Sequence, residues 1–376
     1  MNKKILHLTV DFPSINRPEN TMAVKNLLSS LGGQEHLVIA MTRTANPFKT
    51  NLLAGDNVVS MRYWGLPFGI GLFLSMTIVA CRVLFYLKKI NLKPDAVHGH
   101  KFAFEGIAAW WLSRFLKVPF WVSVRGEADR KILKFKPYYK YFFQRLLNDC
   151  SHVFYVSAWF KPTLNDKFEI PECKQSLLPN FVSERDLSTT KEFNENYFVT
   201  VLDLNVYKKK GLDRLLMAMN NLAKRSVEMK LDIIGRGEPA VRHEVTAIIE
   251  KLGLSKQVRL LGVYSNPELL AMLPKYAGLL LPSHHETFGM VYVESLLSGV
   301  PILCSKNTGI DGFIDWVPAH IAVDPCSVES IANGIVLLQA EQNNYRDWLL
   351  KCNSEILAYF GRQKYIEHYQ KLLVNE

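Results

Sequence analysis

Short apolar runs alternate with longer amphipathic stretches along the first half of the chain. The runs are ILHLTV, HLVIAM, VVSMRYW, AVHGH and FWVSVR, and helical patterns occupy residues 21–31, a long apolar stretch that ends at Lys88, and residues 102–116. This alternation is typical of a parallel sheet with helices on both faces. Because ligands of such folds bind at the carboxyl ends of the strands, we expect functional residues where the apolar runs end.

A second alternation of the same kind begins at Tyr197, with the runs FVTVLDL, KLDIIGRG and VRLLG. A polar and charged segment, residues 183–196, precedes it and is interpreted as a linker. The pattern predicts a first domain over residues 1–185, a second over 197–360 and a terminal helix over 361–376.

Residues 278–301, GLLLPSHHETFGMVYVESLLSGVP, combine a buried strand, a polar loop and an amphipathic helix. Glu286 lies in the loop, and Glu294 lies in the second turn of a helix that opens near Gly289. The unpaired N–H groups of a helix start attract a diphosphate, and a carboxylate one turn later suits a ribose diol. A simpler interpretation exists for each feature, because the helix dipole alone favours acids near a helix start and glycine is common in turns.

As a whole, this stretch resembles the E-x7-E signature of the retaining GT-B glycosyltransferases of family 4, with Glu286 and Glu294 as the two acids. The resemblance implies an α/β fold of two Rossmann-like domains whose parallel sheets face a central cleft. It also implies that a C-terminal helix returns to the N-terminal domain, and that a nucleoside-diphosphate sugar is the donor substrate, with no cofactor. It is strongest from Lys210 to Pro301.

The resemblance also assigns donor-side residues. Lys210, before Gly211 at a predicted helix start, stands where family members place a lysine on the donor diphosphate. Lys208 and Lys209 lie beside it, so the sequence leaves the register of this lysine open. The candidate donor-binding residues are Gly235, Arg236, Gly262, Gly289, Met290, Val291 and Glu294. The candidate catalytic residues are Glu286, Lys210 and Arg125.

Arg125 stands at the end of FWVSVR, where the family has a histidine. Arginine cannot act as a base at neutral pH, so any role in the site is electrostatic. The alternative is a purely structural pair with Glu127 or Asp129. Elsewhere, Asp203 stands where the family commonly has an arginine, and Arg236 is our candidate for the missing cation.

The acceptor side is expected at the ends of two other strands. No glycine lies between Asp11 and Asn20, where the family has a glycine-rich loop, and we take Ser14 and Asn20 there as candidates. His98 and His100 are the candidates after AVHGH. We expect their side chains to point to opposite faces of the strand, so that at most one faces the cleft.

The formal net charge is +10, which indicates an anionic partner: nucleic acid, acidic lipid or a phosphorylated small molecule. Zinc-finger spacings, RNP-like strings and basic heptads are missing from the sequence, so nucleic acid is disfavoured. The six cysteines form no C-x-x-C pair, and the sequence contains no D-x-D pair, so we predict no metal site. The N-terminal apolar run is too short for a signal-peptide core, which favours the cytoplasm.

Two segments bear on membrane binding. Residues 64–81 are uncharged enough to approach a membrane span, but their glycines and Pro67 favour a strand end, a turn and a buried helix. Residues 129–147 interleave lysines and arginines with aromatic residues, with Pro137 dividing them. They are interpreted either as a surface for anionic lipid on the inner face of the cell membrane or as an ordinary solvated basic face.

The sequence thus predicts a metal-independent hexosyltransferase that moves a sugar to a glycan or lipid-linked acceptor, with retention of configuration. We expect it to act in bacterial surface polysaccharide synthesis, in capsule, O-antigen or exopolysaccharide. The alternatives are a nucleotide-sugar epimerase of GT-B-like fold and a non-catalytic sugar-nucleotide-binding subunit. The sugar, the nucleotide and the oligomeric state are left open by the sequence.

Overall fold

The computed structural model describes residues 3–18, 20–32, 34–180 and 192–374. The chain forms two compact units, the first of Met1–Phe181 with Arg362–Glu376 and the second of Val182–Gly361. Most of the predicted linker, residues 183–191, lies outside the described residues. The second unit's first strand begins at Asn194 rather than at Tyr197.

Eight strands form the sheet of the first unit. They are β1 (Lys4–Thr9), β2 (Glu35–Thr44), β3 (Asn51–Ala54), β4 (Val58–Trp64), β5 (Ala96–Gly99), β6 (Phe120–Val124), β7 (His152–Tyr155) and β8 (Gln175–Leu177). Their order is β3-β4-β2-β1-β5-β6-β7-β8. All neighbours pair in parallel except β3 and β4, which form an antiparallel hairpin at one edge. The parallel arrangement was predicted, whereas the short strand β3 was not.

Helices cover both faces of this sheet, since its central strands are buried on both sides. They are α1 (Ala23–Ser30), α2 (Leu72–Lys89), α3 (Glu105–Leu116), α4 (Glu127–Phe135), α5 (Lys140–Asp149) and α6 (Lys161–Asn165). Residues 64–81 form the end of β4, a turn and the start of α2, as the sequence favoured. Within the described residues, no helix combines the length and apolarity needed to cross a bilayer.

The second unit is a six-stranded parallel sheet with helices. Its strands are β9 (Asn194–Val201), β10 (Lys230–Ile234), β11 (Val258–Gly262), β12 (Tyr276–Leu280), β13 (Ile302–Ser305) and β14 (His320–Val323), in the order β11-β10-β9-β12-β13-β14. Its helices are α7 (Leu212–Lys224), α8 (Pro239–Lys251), α9 (Asn266–Met272), α10 (Met290–Leu297), α11 (Val328–Lys351) and α12 (Asn353–Phe360). Both units therefore have the predicted α/β architecture.

The last helix, α13 (Arg362–Val374), belongs to the first unit. Tyr369 is fully buried there, with its ring 5.1 Å from that of Trp121 and 5.3 Å from that of Phe154, between centroids. Its hydroxyl lies 2.9 Å from Nδ1 of His98 on β5. The return of the terminal helix to the N-terminal domain is confirmed.

The burial of Tyr369 leads to a prediction about stability. Tyr369→Ala is expected to lower the free energy of unfolding of the first unit by about 3–5 kcal/mol, because a large buried ring is lost. Tyr369→Phe removes only the hydrogen bond and is expected to cost about 1 kcal/mol. The control Tyr141→Ala, at a side chain that is 87% exposed, should change stability by less than about 0.5 kcal/mol. Urea denaturation followed by circular dichroism measures all three, and an unchanged Tyr369→Ala variant would contradict this packing.

Candidate functional site

Three neighbouring strands of the second unit end beside one another. Strands β10, β9 and β12 are adjacent and parallel, so the loops that follow their carboxyl ends meet at one edge of the sheet. These loops are residues 235–238, 202–211 and 281–289. The chain thereby brings the predicted donor-side residues to the edge where ligands of parallel sheets bind.

Lys210 and Glu286 form an ion pair between two of these loops. Both side chains are mostly buried, at 22% and 16% exposure. The loops are joined again by their backbones, since the N–H of His284 donates to the carbonyl of Lys209 at 2.9 Å. Lys208 instead pairs with Glu244 at 3.1 Å, so the structure places Lys210, not Lys208, against the acidic loop.

Glu286 is held by the segment that follows β13. Its backbone N–H donates to Oγ1 of Thr308 at 2.8 Å, and its carbonyl accepts the N–H of Gly309 at 3.0 Å. Gly289 precedes helix α10 with φ of +80°, and a Cβ there would lie 2.5 Å from the ring of Tyr292. Glycine is therefore required at this helix start.

The first two residues of α10 are Met290 and Val291, at the end of the helix where N–H groups have no acceptor within the helix. Glu294 follows on the same helix and is 8% exposed. Nδ2 of Asn266 on α9 donates to its carboxylate at 3.1 Å. Burial raises the pKa of Glu294, and the hydrogen bond from Asn266 opposes that shift.

Gly235 and Gly262 lie together at the ends of β10 and β11, where the N–H of Gly235 donates to the carbonyl of Gly262 at 2.7 Å. A Cβ at Gly235 would lie 1.7 Å from the carbonyl oxygen of Leu202, so only glycine fits. Arg236 pairs with Asp203, its Nε lying 2.9 Å from Oδ2. Arg236 was our candidate for the cation that the family commonly has at position 203. In this chain it pairs with Asp203, the residue at that position.

A second group of charged residues lies at the strand ends of the first unit. Lys101, after β5, is 2.9 Å from Oδ1 of Asp11, which follows β1, and Nε of Arg125 is 3.9 Å from the other oxygen. Burial would raise the pKa of Asp11, but Lys101 and Arg125 hold it below its usual value. The cluster therefore contains a carboxylate held between two cations.

Arg125 is almost fully buried at the end of β6, and its Nε donates to the carbonyl of His100 at 3.2 Å. Oδ2 of Asp129 accepts the backbone N–H of Arg125 and Oδ1 accepts that of Ala103, each at 2.9 Å, and Glu127 pairs with Arg130. The charge of Arg125 opposes the rise that burial causes in the pKa of Asp129, so the structural alternative, a pair with Glu127 or Asp129, keeps electrostatic support. The guanidinium is directed to Asp11 and His100.

The expectation that His98 and His100 point to opposite faces is wrong. Residues two apart on a strand share a face, and the two rings stack with centroids 4.1 Å apart. Both side chains are fully buried. His98 binds Ser123 and Tyr369, and His100 binds His7.

Ser14 and Asn20 have structural hydrogen bonds in the loop after β1. The backbone of Ser14 exchanges two hydrogen bonds with that of Arg17. The side-chain amide of Asn20 donates to the carbonyls of Val10 and Phe12, at 2.7 and 3.1 Å. Asn20 thus shapes the loop in which the family has glycines, and its role toward an acceptor stays a prediction.

Sequence reasoning missed Glu105, the first residue of α3. Its carboxyl is fully buried, Oε1 accepts the N–H of Val10 at 2.9 Å, and Oε2 has no hydrogen-bond partner among the described residues. Burial raises its pKa to about 7, with Lys101 opposing and Asp11 adding to the shift. The only sequence signal was an acid at a helix start, which is common on exposed helices.

Two known families match this chain. Residues 184–349 match the family described as Glycosyl transferases group 1, and residues 22–185 match Glycosyltransferase Family 4. An uncharacterized glycosyltransferase of Methanocaldococcus jannaschii is 24% identical over 253 residues, which cover 67% of this chain and 63% of that protein. The chain thus spans less than two thirds of this curated relative.

Solved structures share the fold across the whole chain. Sucrose-phosphate synthase from Thermosynechococcus elongatus has a TM-score of 0.74 at 16% identity, with both chains fully covered. Anabaena HepE, solved in complex with UDP and glucose, has a TM-score of 0.69 at 14% identity, again with both chains fully covered. At these identities the likeness establishes the architecture alone.

The buried Glu105 carboxyl leads to a prediction about pH. Its pKa is about 7 in the folded chain, against an ordinary value of 4.5, so the folded state binds the proton more tightly. Its contribution to stability is full below pH 4.5 and is lost as the pH rises through 7. Glu105→Gln should therefore be more stable than the wild type at pH 8, by up to about 3 kcal/mol, with the difference shrinking toward pH 4.5.

Chemical denaturation at both pH values measures this difference. The control Glu35→Gln replaces an exposed acid of the same unit and should change stability by less than about 0.5 kcal/mol at either pH. A Glu105→Gln variant that is less stable than the wild type at pH 8 would show that the buried carboxylate is stabilising.

Proposed function

This chain belongs to the glycosyltransferases of family 4, and we propose that it moves a sugar from a nucleoside-diphosphate sugar to a glycan or lipid-linked acceptor with retention of configuration. The observation that supports this most directly is the Lys210–Glu286 ion pair at the strand ends of the second unit. It places a cation for the diphosphate next to a carboxylate for sugar hydroxyls.

The diphosphate binds at the start of α10 and at Lys210. Helix-start N–H groups and an ammonium both favour a dianionic group, so they stabilise negative charge that develops on the leaving diphosphate. In the free protein Lys210 is neutralised by Glu286. When the donor binds, its phosphates compete for the ammonium and leave the carboxylate available to accept hydrogen bonds from the sugar.

The ribose binds at Glu294. Its carboxylate is nearly buried and receives one hydrogen bond, from Asn266. An anionic oxygen in such a place accepts strongly from a hydroxyl. A ribose diol supplies two such hydroxyls, which offset the cost of burying the carboxylate.

The reaction forms a bond between an acceptor hydroxyl oxygen and the anomeric carbon and breaks the bond from that carbon to the diphosphate. The acceptor attacks from the face that the diphosphate leaves, and a leaving phosphate oxygen takes the hydroxyl proton. The charge is neutralised in this scheme by Lys210 and the helix-start N–H groups, so the transfer step uses no metal. A role in bacterial surface polysaccharide synthesis is part of the proposal.

Two other functions are separated by simple assays. A nucleotide-sugar epimerase would convert the donor without an acceptor. A non-catalytic subunit would bind donor without turnover, and the neutralisation of Arg236 by Asp203, which removes one candidate cation from the site, favours this alternative. A panel of radiolabelled nucleotide sugars with membrane lipids as acceptor distinguishes all three. UDP-glucose is the first donor to test, since Anabaena HepE was solved with UDP and glucose.

We further propose that the first unit docks on anionic lipid through a basic aromatic surface. This surface consists of the exposed side chains Lys131, Lys134, Phe135, Tyr138, Lys140, Tyr141 and Arg145. Its three aromatic rings are 70–87% exposed. Lysines that meet headgroups and aromatic rings that lie at the interface are the two components of peripheral membrane binding.

Helix α2 extends the apolar part of this surface. The ring of Phe142 on α5 packs against that of Phe73 on α2, with centroids 5.0 Å apart. Next to Phe73, α2 exposes Leu74, Ile78 and Phe85, at 57%, 40% and 74%. Their spacing places them along one exposed stripe of α2, so α2 adds exposed apolar side chains to the first unit.

The proposed catalytic role of Glu286 gives a prediction about activity. Glu286→Gln keeps the side-chain shape but removes the charge that pairs with Lys210. Sugar transfer is expected to fall by about 100-fold or more, the scale for losing one aligned transition-state contact. Glu244→Gln, which removes the acid of the neighbouring Lys208–Glu244 pair, is the matched control and should keep wild-type turnover. Turnover of Glu286→Gln at the wild-type rate would remove Glu286 from the reaction.

The lipid surface gives a separate prediction. Replacing Lys131, Lys134 and Lys140 by Gln should weaken binding to phosphatidylserine vesicles by roughly 100-fold, since each lysine near an anionic surface contributes about 1 kcal/mol. The control replaces Lys224, Lys251 and Lys256, exposed lysines of the second unit, by Gln and should bind as the wild type does. Vesicle co-sedimentation measures both. Wild-type binding that is absent, or equal on neutral phosphatidylcholine, would contradict the proposal.

A further inference from the structure

Four histidines lie next to one another in the sheet of the first unit. His7 on β1 and His98 on β5 are register partners on neighbouring strands, His36 lies on β2, and His100 follows β5. His7, His98 and His100 are fully buried, and His36 is partly exposed. One nitrogen from each of the three buried rings lies within 4.8 Å of the other two.

The hydrogen bonds among His36, His7 and His100 determine where the protons of these rings lie. Nε2 of His36 is 3.3 Å from the carbonyl of Leu31, which can only accept, so this nitrogen carries the proton. Nδ1 of His36 then accepts from Nε2 of His7 at 3.0 Å, and Nδ1 of His7 accepts from Nε2 of His100 at 3.1 Å. The direction of every bond follows from the first.

This series of hydrogen bonds ends at a lone pair on His100. Nδ1 of His100 is buried and has no hydrogen-bond partner among the described residues. A buried polar atom without a partner is uncommon and unfavourable. Nδ1 of His7 accepts a hydrogen bond and Nδ1 of His100 has no partner, so each ring has one nitrogen with a lone pair.

We propose that His7, His98 and His100 form a binding site for a divalent transition-metal ion. Neutral imidazoles bind zinc, cobalt, nickel and copper, whereas magnesium and calcium prefer oxygen ligands. Nitrogens bound to one tetrahedral ion at 2.0–2.1 Å lie about 3.3 Å apart. His7 Nδ1 and His100 Nε2 are already 3.1 Å apart, and the widest pair of the set must close by about 1.5 Å.

The ion takes the place of the proton between His7 and His100. That proton leaves Nε2 of His100 for the bare Nδ1 of the same ring, so binding releases no net proton. His7 keeps its other N–H on Nδ1 of His36, which is the kind of second hydrogen bond that orients metal-binding histidines. His98 has Ser123 and Tyr369 on its two nitrogens and gives up one of them to bind the ion.

This site lies in the first unit, whereas the donor-side residues lie in the second, so the proposal does not rest on the proposed function. It does not replace a diphosphate-bridging metal, for which the sequence has no D-x-D pair. Spacing rules could not find it, because its ligands come from two strands and meet only in the sheet. The ion would link β1 to the end of β5 and stabilise the first unit.

Cobalt is the probe for the test, because tetrahedral cobalt absorbs visible light when nitrogen ligands bind it. Untagged, chelator-treated protein is expected to bind one cobalt ion per chain, with a visible absorption band and a higher melting temperature. His100→Gln and His7→Gln should each weaken binding by at least about 10-fold. His320→Gln is the control, a partly buried histidine on β14 of the second unit, and should bind as the wild type does.

A second readout does not depend on the variants folding. The groups facing the cluster are His36, Arg125, His152 and the hydroxyl of Tyr369, and burial above all keeps its rings neutral. Affinity should therefore change by less than about 3-fold between pH 7.5 and 6.0, whereas ordinary surface histidines become protonated across this interval. The absence of stoichiometric cobalt binding, a steep loss of affinity at pH 6.0, or equal binding by the His7→Gln/His100→Gln double variant would each overturn the proposal.

Discussion

The ion pair between Lys210 and Glu286 joins two loops that are 76 residues apart in the chain. It forms because β9 and β12 are neighbours in a parallel sheet, so that their carboxyl ends lie side by side. With little water around either side chain, the attraction between the charges is stronger than on an open surface. The donor-side geometry depends on this contact, since the loop of Glu286 is in turn bonded to Thr308 and Gly309.

The excess positive charge of the chain does not accumulate at the strand ends. There, cations are matched by acids: Asp11 lies between Lys101 and Arg125, Asp203 faces Arg236, and Glu286 faces Lys210. Exposed lysines instead occur on the outer surface of α4 and α5. The net charge therefore says more about the outer surface of the protein than about its donor site.

Local sequence was sufficient where a functional unit is contiguous. Residues 278–301 fold as the predicted strand, loop and helix, because apolar run, glycine and amphipathic pattern follow one another in the chain. The partners of that unit were not predictable. Asn266 and Thr308 come from other elements, and only the spatial order of the strands brings them to Glu294 and Glu286.

The incorrect and incomplete predictions arose either from partners on other elements or from a wrong assumption about strand geometry. His98 and His100 were assigned to opposite faces although two-residue spacing keeps side chains on one face of a strand. For Arg125 the expected partners were close in sequence, whereas the guanidinium contacts Asp11 and the His100 carbonyl, both from other strand ends. The sequence around Glu105 gave no sign that this residue is buried, because an acid at a helix start is also common on exposed helices.

Helix α13 places Tyr369 into the core of the first unit. On the ribosome, residues 1–181 emerge long before Tyr369 does, so the nascent domain has an uncovered apolar face around Trp121 and Phe154 during synthesis of the entire second unit. Maturation of the N-terminal half is thus delayed until α13 has been synthesised. A chaperone that shields that face meanwhile, and a proteolytic check on prematurely stopped chains, would both act on the same exposed rings.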